Sequence, residues 1–124
     1  MIGWLAALGC GVVAVFQLAL AAGAPFGRAA WGGTQAGRLP ARLRVASLIA
    51  VPVWTFAALL VVRRAGHLAG LVPHGAAVWG VWVLTGLFAL SALLNAASRS
   101  RLERAIWAPF GVVMAVLCFL VARG

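Results

Sequence analysis

Long apolar runs dominate the chain, and short polar stretches separate them. The runs cover about residues 2–24, 45–62, 75–97 and 105–122, and none of them contains a formal charge. A helix that crosses the hydrocarbon core of a bilayer needs about 20 mainly apolar residues. Because a backbone in lipid must satisfy its own hydrogen bonds, each run is predicted to be helical. The pattern predicts an all-α protein with a single transmembrane domain over 1–124, a bundle of four helices with antiparallel neighbours.

Polar and cyclic residues refine the helix ends. The segment from Ser100 to Glu103 fits a capping box, in which the serine caps the helix and the glutamate reaches back to its free N–H. The fourth helix is therefore predicted over 100–122. Pro52 and Pro109 fall inside the second and fourth helices, where each should remove a backbone hydrogen bond and cause a local kink.

The first run also has to be considered as a secretory signal. Its end, 22–24, reads Ala-Gly-Ala and is similar to a small-residue cleavage site. However, no positive residue precedes the run, the run is long, and Pro25 would follow the cut. We expect the segment to stay in the protein as the first helix, whereas cleavage would leave three spans.

Composition supports a protein that lives in lipid. Hydrophobic residues make up 65% of the 124 residues and charged residues 9%, against roughly 45–50% and about 25% in soluble domains. The net charge of +9 comes from ten arginines and one glutamate. Such a charge is compatible with nucleic-acid binding, but the arginines lie in clusters between apolar runs, which is the usual pattern of membrane topology. Nucleic-acid binding is not expected.

The distribution of arginines predicts the orientation. Loop 1 (25–44) and loop 3 (98–104) must lie on one side of the membrane, and loop 2 (63–74) lies on the other with both termini. Seven arginines belong to loops 1 and 3: Arg28, Arg38, Arg42, Arg44, Arg99, Arg101 and Arg104. The other side has three. The positive-inside rule then places loops 1 and 3 in the cytoplasm and both termini outside.

Residues that could carry chemistry are few. His67 and His74 in loop 2 are the two histidines of the chain, and they supply two ligands where a structural zinc site uses four. Cys10 and Cys118 lie inside apolar runs and form no CxxC pair; we interpret them as small buried side chains, with a close approach possible if the first and fourth helices are neighbours. Proton-coupled transport usually needs an ionisable group within the membrane. We expect no catalytic residue, metal ligand or cofactor.

Loop 1 combines glycines, prolines and aromatic residues with four arginines. Contacts of Arg28, Arg38, Arg42 and Arg44 with anionic phospholipid headgroups are the favoured interpretation, and each is worth about 1 kcal/mol near the surface. A disordered loop and a specific anion or partner site are the alternatives.

Polar and small residues within the runs indicate helix contacts. Gln17 and Asn95 are the most deeply placed amides; hydrogen bonding between helices is the expected role, and lining a polar pathway is the alternative. Gly3, Ala7 and Gly11 form a small-residue face that would allow close helix packing.

Tryptophan tends to lie at membrane interfaces, and most of the tryptophans here fall near predicted helix ends or in loop 1. Trp54 differs, because it lies near the middle of the second run.

Two stretches carry a family resemblance. Residues 17–33 (QLALAAGAPFGRAAWGG), with Leu39-Pro40 and 42–44 (RLR), resemble the first helix and loop of a group of small bacterial four-helix membrane proteins. Residues 103–109 (ERAIWAP) resemble the start of their last helix. The resemblance implies a multi-pass protein of the bacterial inner membrane and brings no substrate or catalytic residue.

Three functions follow in order of preference. The first is a non-catalytic accessory, interaction or self-associating membrane component, as a homo-oligomer or within a larger complex. The second is an oligomeric pathway for a small solute or an anion. The third is a membrane enzyme that uses the histidines or cysteines.

Overall fold

Four long helices make up the protein. The computed structural model describes residues 1–30, 37–67, 70 and 72–124. The helices are α1 (Ile2–Ala21), α2 (Ala41–Arg64), α3 (His74–Ala96) and α4 (Ala108–Ala122), the last preceded by a π-helical segment (Glu103–Trp107). The described residues also contain a short 3-10 helix (Gly27–Ala29) and no strand. All four helices, with the π segment included in the last, are long and apolar enough to cross a membrane, so the predicted all-α transmembrane bundle is confirmed.

The bounds of the first and second helices differ from those of the apolar runs that predicted them. The first helix ends three residues early, because the chain turns at Gly23, whose φ of +99° is left-handed. The second begins at Ala41 instead of 45 and continues to Arg64. Arginine permits this extension, since its long side chain can leave the apolar region while its backbone stays helical.

The two internal prolines have different effects. The second helix runs without interruption through Pro52. Ahead of Pro109, Ala108 donates its N–H to the carbonyl of Glu103, an i to i−5 bond that belongs to the π segment. The wider turn accommodates a proline that has no N–H and would crowd a regular α turn. The local distortion expected at Pro109 is therefore a π segment.

Two helical hairpins form the bundle, because α1 packs most extensively on α2, and α3 on α4. Glycines mark the closest approaches within them. Gly3 lies against Ala65 at the end of α2. A Cβ atom placed on Gly111 would lie 3.0 Å from the Cβ of Ala92 on α3. These contacts follow the rule that small residues let helix backbones approach closely in lipid.

The small-residue face expected on α1 is only partly used. Gly3 is buried in a contact and Ala7 packs against the core, but a Cβ atom placed on Gly11 would meet no atom of another segment within 4 Å. Gly9 provides the other close approach of α1, against the side chain of Met114. Spacing by four alone did not identify this residue, because the rotation of the helix decides which glycines face a neighbour.

The main core lies towards one end of the bundle. Its fully buried side chains come from the halves of the helices nearest to the termini and loop 2, and Phe88, near the centre of α3, is its limit. They include Ala6, Cys10, Val61, Val81, Met114 and Cys118. The helices are therefore tightly packed at the terminal end, and the other end, beside loops 1 and 3, contains the site described next.

Candidate functional site

A cavity of about 910 Å³ lies between the two hairpins at the end of the bundle nearest to loops 1 and 3. Side chains from all four helices and from the described part of loop 1 line it. Pockets that bind small molecules usually measure about 300–1,000 Å³ and are mainly apolar, with a few polar groups that orient the ligand. The cavity has this size and this character.

Aromatic side chains form the inner part of the cavity. The ring centroids of Trp54 and Phe88 are 5.3 Å apart, and those of Phe88 and Phe110 are 6.3 Å apart. Trp107 continues the series at 5.2 Å from Phe110 and 4.9 Å from Phe16. The series runs from mid-helix in α2 to the start of α4. Trp54, which the interface rule did not explain, is half-buried at its inner end.

Amide groups line the cavity as well. Asn95 donates from Nδ2 to the carbonyl of Ser91 at 2.8 Å and to its hydroxyl at 3.0 Å, so these bonds lie within α3. The Oε1 atom of Gln17 is buried, and no described residue donates a hydrogen bond to it. The two amides that the sequence singled out thus line one cavity. Their expected role between helices is not seen in these bonds.

Serines and the sole acid form the rim of the cavity. Glu103 is only 6% exposed, and Ser98 donates its hydroxyl to Oε1 of this residue. The N–H of Glu103 donates to Oγ of Ser100 at 3.3 Å, which is the serine half of the expected capping box. The N–H of Ser100 donates to Oγ of Ser98 at 3.1 Å. Sequence reasoning missed Ser98, which the turn brings back to the helix start, and the burial of Glu103.

One of the four loop 1 arginines that were expected to contact lipid forms a hydrogen bond within the protein. Arg44 donates from Nε to the carbonyl of Ala21 at 3.2 Å and so caps the last turn of α1. A cation at a helix C-terminus also stabilises the helix dipole. Arg38 and Arg42 are exposed, and their contact with anionic headgroups stays a prediction. The side chain of Arg28 lies outside the described residues.

The described parts of loop 1 are packed. Gly27 donates its N–H to the carbonyl of Gly37 at 2.8 Å, which joins the two ends of the loop. Leu39 is 3% exposed and packs with Leu20 and Ala30 in a second apolar cluster. Ala30 also lines the cavity. This part of the loop is folded against the bundle and forms one wall of the cavity.

The histidines and cysteines lie away from the cavity. His67 and His74 are exposed, and the ring of His67 is 5.1 Å from that of Trp4. Within the described ranges, no three His, Cys, Asp or Glu side chains form a group that could hold a metal ion. Cys10 and Cys118 are free thiols buried in the same core cluster.

Comparison with protein-family models, with curated proteins and with solved structures found no match to this chain. The cavity and its lining are therefore the basis for a functional assignment.

Proposed function

We propose that the protein is a non-catalytic membrane component that holds a small molecule in the cavity between its two hairpins. The observation that carries this proposal is a mainly apolar cavity of about 910 Å³, whose lining includes five aromatic side chains and the amides of Gln17 and Asn95. Its size and its few polar groups are those of pockets that bind small molecules.

The lining chemistry supports binding over catalysis. Acid–base catalysis needs a titratable group with a positioned partner. Among the described residues that line the cavity there is no histidine or cysteine, and the carboxyl of Glu103 accepts a hydrogen bond from Ser98. An accessory or self-associating role is compatible with such a site, since a bound molecule can be handed to, or sensed by, a second membrane protein.

A pathway for a small solute is the second candidate. Gln17 and Asn95 favour it, because both line the cavity. The main core, however, closes the terminal end of the bundle with fully buried side chains such as Val81 and Cys118. Transport would require this end to open, and proteoliposome flux that changes in Asn95→Leu would support it.

The proposal includes a location. The family resemblance and the positive-inside rule favour a bacterial inner membrane with loops 1 and 3 in the cytoplasm. The cavity would then open at the cytoplasmic side, where the exposed Arg38 and Arg42 could meet anionic headgroups.

Native mass spectrometry of the protein in lipid nanodiscs tests the binding function. We expect a retained small molecule, and we expect Ser91→Phe to lose it, because this residue lines the cavity and a phenyl ring would occupy part of the space. Ala89→Phe is the matched control, since Ala89 is exposed on the same helix outside the cavity. Equal retention in both variants, or none in the parent, would contradict the proposal. The same spectra report a homo-oligomer or a second protein.

A further inference from the structure

We infer that the cavity holds one acyl chain of a phospholipid from the leaflet beside loops 1 and 3, and that this chain enters sideways through an opening along α3. The inference rests on the proposed binding function and adds the chemical class of the ligand, its source and its route of entry. Shape and apolar contact recognise the chain, while the headgroup stays outside the cavity, beyond its rim.

The cavity opens to the membrane along α3. Leu87, Leu90 and Leu94 line it, and they are also 48%, 53% and 63% exposed. Of the residues of α2, all of which the structure describes, Trp54 alone lines the cavity, so α2 builds no wall between the inner end and the rim. Side chains exposed at this depth of a transmembrane helix meet hydrocarbon. The chains of the leaflet therefore reach the cavity without passing through water.

The length of the cavity matches most of one leaflet. Its helical lining on α3 extends from Leu87 to Asn95, a length of about 12 Å at 1.5 Å per residue. Half of the hydrocarbon core of a bilayer measures about 15 Å. The inner end, beside Phe88, therefore lies near the centre of the membrane, and the rim lies near the headgroups. An acyl chain of the same leaflet extends over the same depth.

Polar and apolar groups are separated along the cavity. The rim carries hydroxyl-bearing and charged side chains: Ser98, Arg99, Ser100 and Glu103. Further in, Asn95 donates its Nδ2 hydrogens to Ser91 within α3, and the Oε1 atom of Gln17 has almost no accessible surface. The inner cavity therefore offers a ligand mainly apolar contact. A lipid has the same order, with an apolar chain that ends in a polar head.

Dispersion contacts are the physical reason for a chain to enter. Moving a chain from lipid to an apolar cavity changes the hydrophobic free energy little, because both surroundings are hydrocarbon-like. Apolar cavities exclude water, and an apolar molecule that fills one gains contacts with its lining. The rings of Trp54, Phe88 and Phe110, with centroids 5.3 and 6.3 Å apart along the series, supply much of this contact surface. Phospholipid chains are the molecules that a membrane brings to the opening in the greatest number.

Photocrosslinking with phospholipids that carry a diazirine in one acyl chain tests the inference. The protein is placed in phosphatidylcholine nanodiscs that contain a small fraction of the probe lipid, and peptide mass spectrometry locates the labelled residues. Phe88 is the reporter, because it lines the cavity and is only 3% exposed, so that lipid around the bundle does not reach it. We expect a diazirine at the chain terminus to label Phe88, and a diazirine near the ester to label the rim at Ser98.

Two residues outside the lining and two variants serve as controls. Val15 is 67% exposed, so the terminal probe should label it as a lipid-facing side chain. Leu84 is 6% exposed on the same helix as Phe88, and it should stay unlabelled. Ser91→Phe should abolish the labelling of Phe88 and retain that of Val15, because the new ring occupies part of the cavity. Ala89→Phe, at an exposed residue of the same helix, should retain both.

The labelling of the parent protein decides the inference even if Ser91→Phe folds poorly. Labelling at Val15 without labelling at Phe88 would overturn it. Labelling of Phe88 by the same probe chain as a free fatty acid, but not as a phospholipid, would overturn the phospholipid and leave a ligand-binding cavity in place. If no probe labels Phe88, native mass spectra of nanodiscs without probe separate the two ideas: a different retained molecule keeps the proposed function, and none contradicts it as well.

Discussion

The contact between α3 and α4 at Gly111 gives a quantitative test of the packing. A Cβ atom on this residue would lie 3.0 Å from the Cβ of Ala92 and 3.1 Å from both its Cα and its backbone N. Two of these three neighbours are backbone atoms, so no side-chain rotation relieves the overlap. Gly111→Ala therefore has to move the helices apart.

The expected magnitude comes from two opposing terms. Overpacking of a close contact costs about 1–3 kcal/mol, while replacing glycine by alanine inside a helix gains about 1 kcal/mol. Gly86→Ala on α3 isolates the second term, because a Cβ there meets nothing within 4 Å. The helix-propensity gain cancels between the two variants, so Gly111→Ala should be less stable than Gly86→Ala by about 1–3 kcal/mol.

Steric trapping in bicelles measures the free energy of unfolding of both variants and of the parent under one set of conditions. We expect Gly86→Ala to be the most stable of the three proteins, and Gly111→Ala to be as stable as the parent or less stable. If Gly111→Ala is as stable as Gly86→Ala or more so, the two helices do not approach at this residue, and the hairpin described above is wrong at its closest point.

Two further predictions concern the arginines and the orientation. Arg64→Gln should lower the free energy of unfolding by about 1 kcal/mol in the same assay, since Arg64 donates to the carbonyl of Ala122 at 2.9 Å and caps α4. Arg123→Gln is the control and should have little effect, because Arg123 is exposed. Equal losses of stability in the two variants would contradict the capping role of Arg64. A topology reporter fused after Gly124 should be active as a periplasmic fusion, and cytoplasmic activity there would refute the proposed orientation.

The number and position of the spans could be predicted because lipid imposes a simple requirement. A run of about 20 apolar residues is needed to cross it, and four such runs became four helices. The exact ends of the helices were harder to predict from the sequence. The early end of α1 depends on the left-handed turn at Gly23, and the extension of α2 depends on arginines that tolerate a helical backbone near the interface. Hydropathy does not record either effect.

The cavity could not be predicted, because it depends on how the helices rotate and how the hairpins separate. The positions of Gln17 and Asn95 within their apolar runs did single them out. Nothing in the sequence, however, showed that both residues line one cavity with Trp54. The position of Trp54 was the one available sign of the cavity. An indole N–H far from the membrane interface usually needs a polar partner nearby. The burial of Glu103 had no such signal, since its position at a helix start is equally compatible with exposure.

The contacts of the arginines also bear on the orientation. Helix C-termini need donors on whichever side they end, so arginines that cap a helix or a turn would be required in either orientation. On the terminal side, Arg64 bonds to the end of α4 and Arg63 to the carbonyl of Val72 in loop 2. Arg44 caps α1 on the other side. The exposed arginines without such a bond to a backbone carbonyl, among the described side chains, are Arg38, Arg42, Arg99 and Arg101 beside loops 1 and 3, and Arg123 at the tail. Among the described arginine side chains without such a bond, four lie beside loops 1 and 3 and one lies at the tail, a distribution that agrees with the proposed cytoplasmic location of loops 1 and 3.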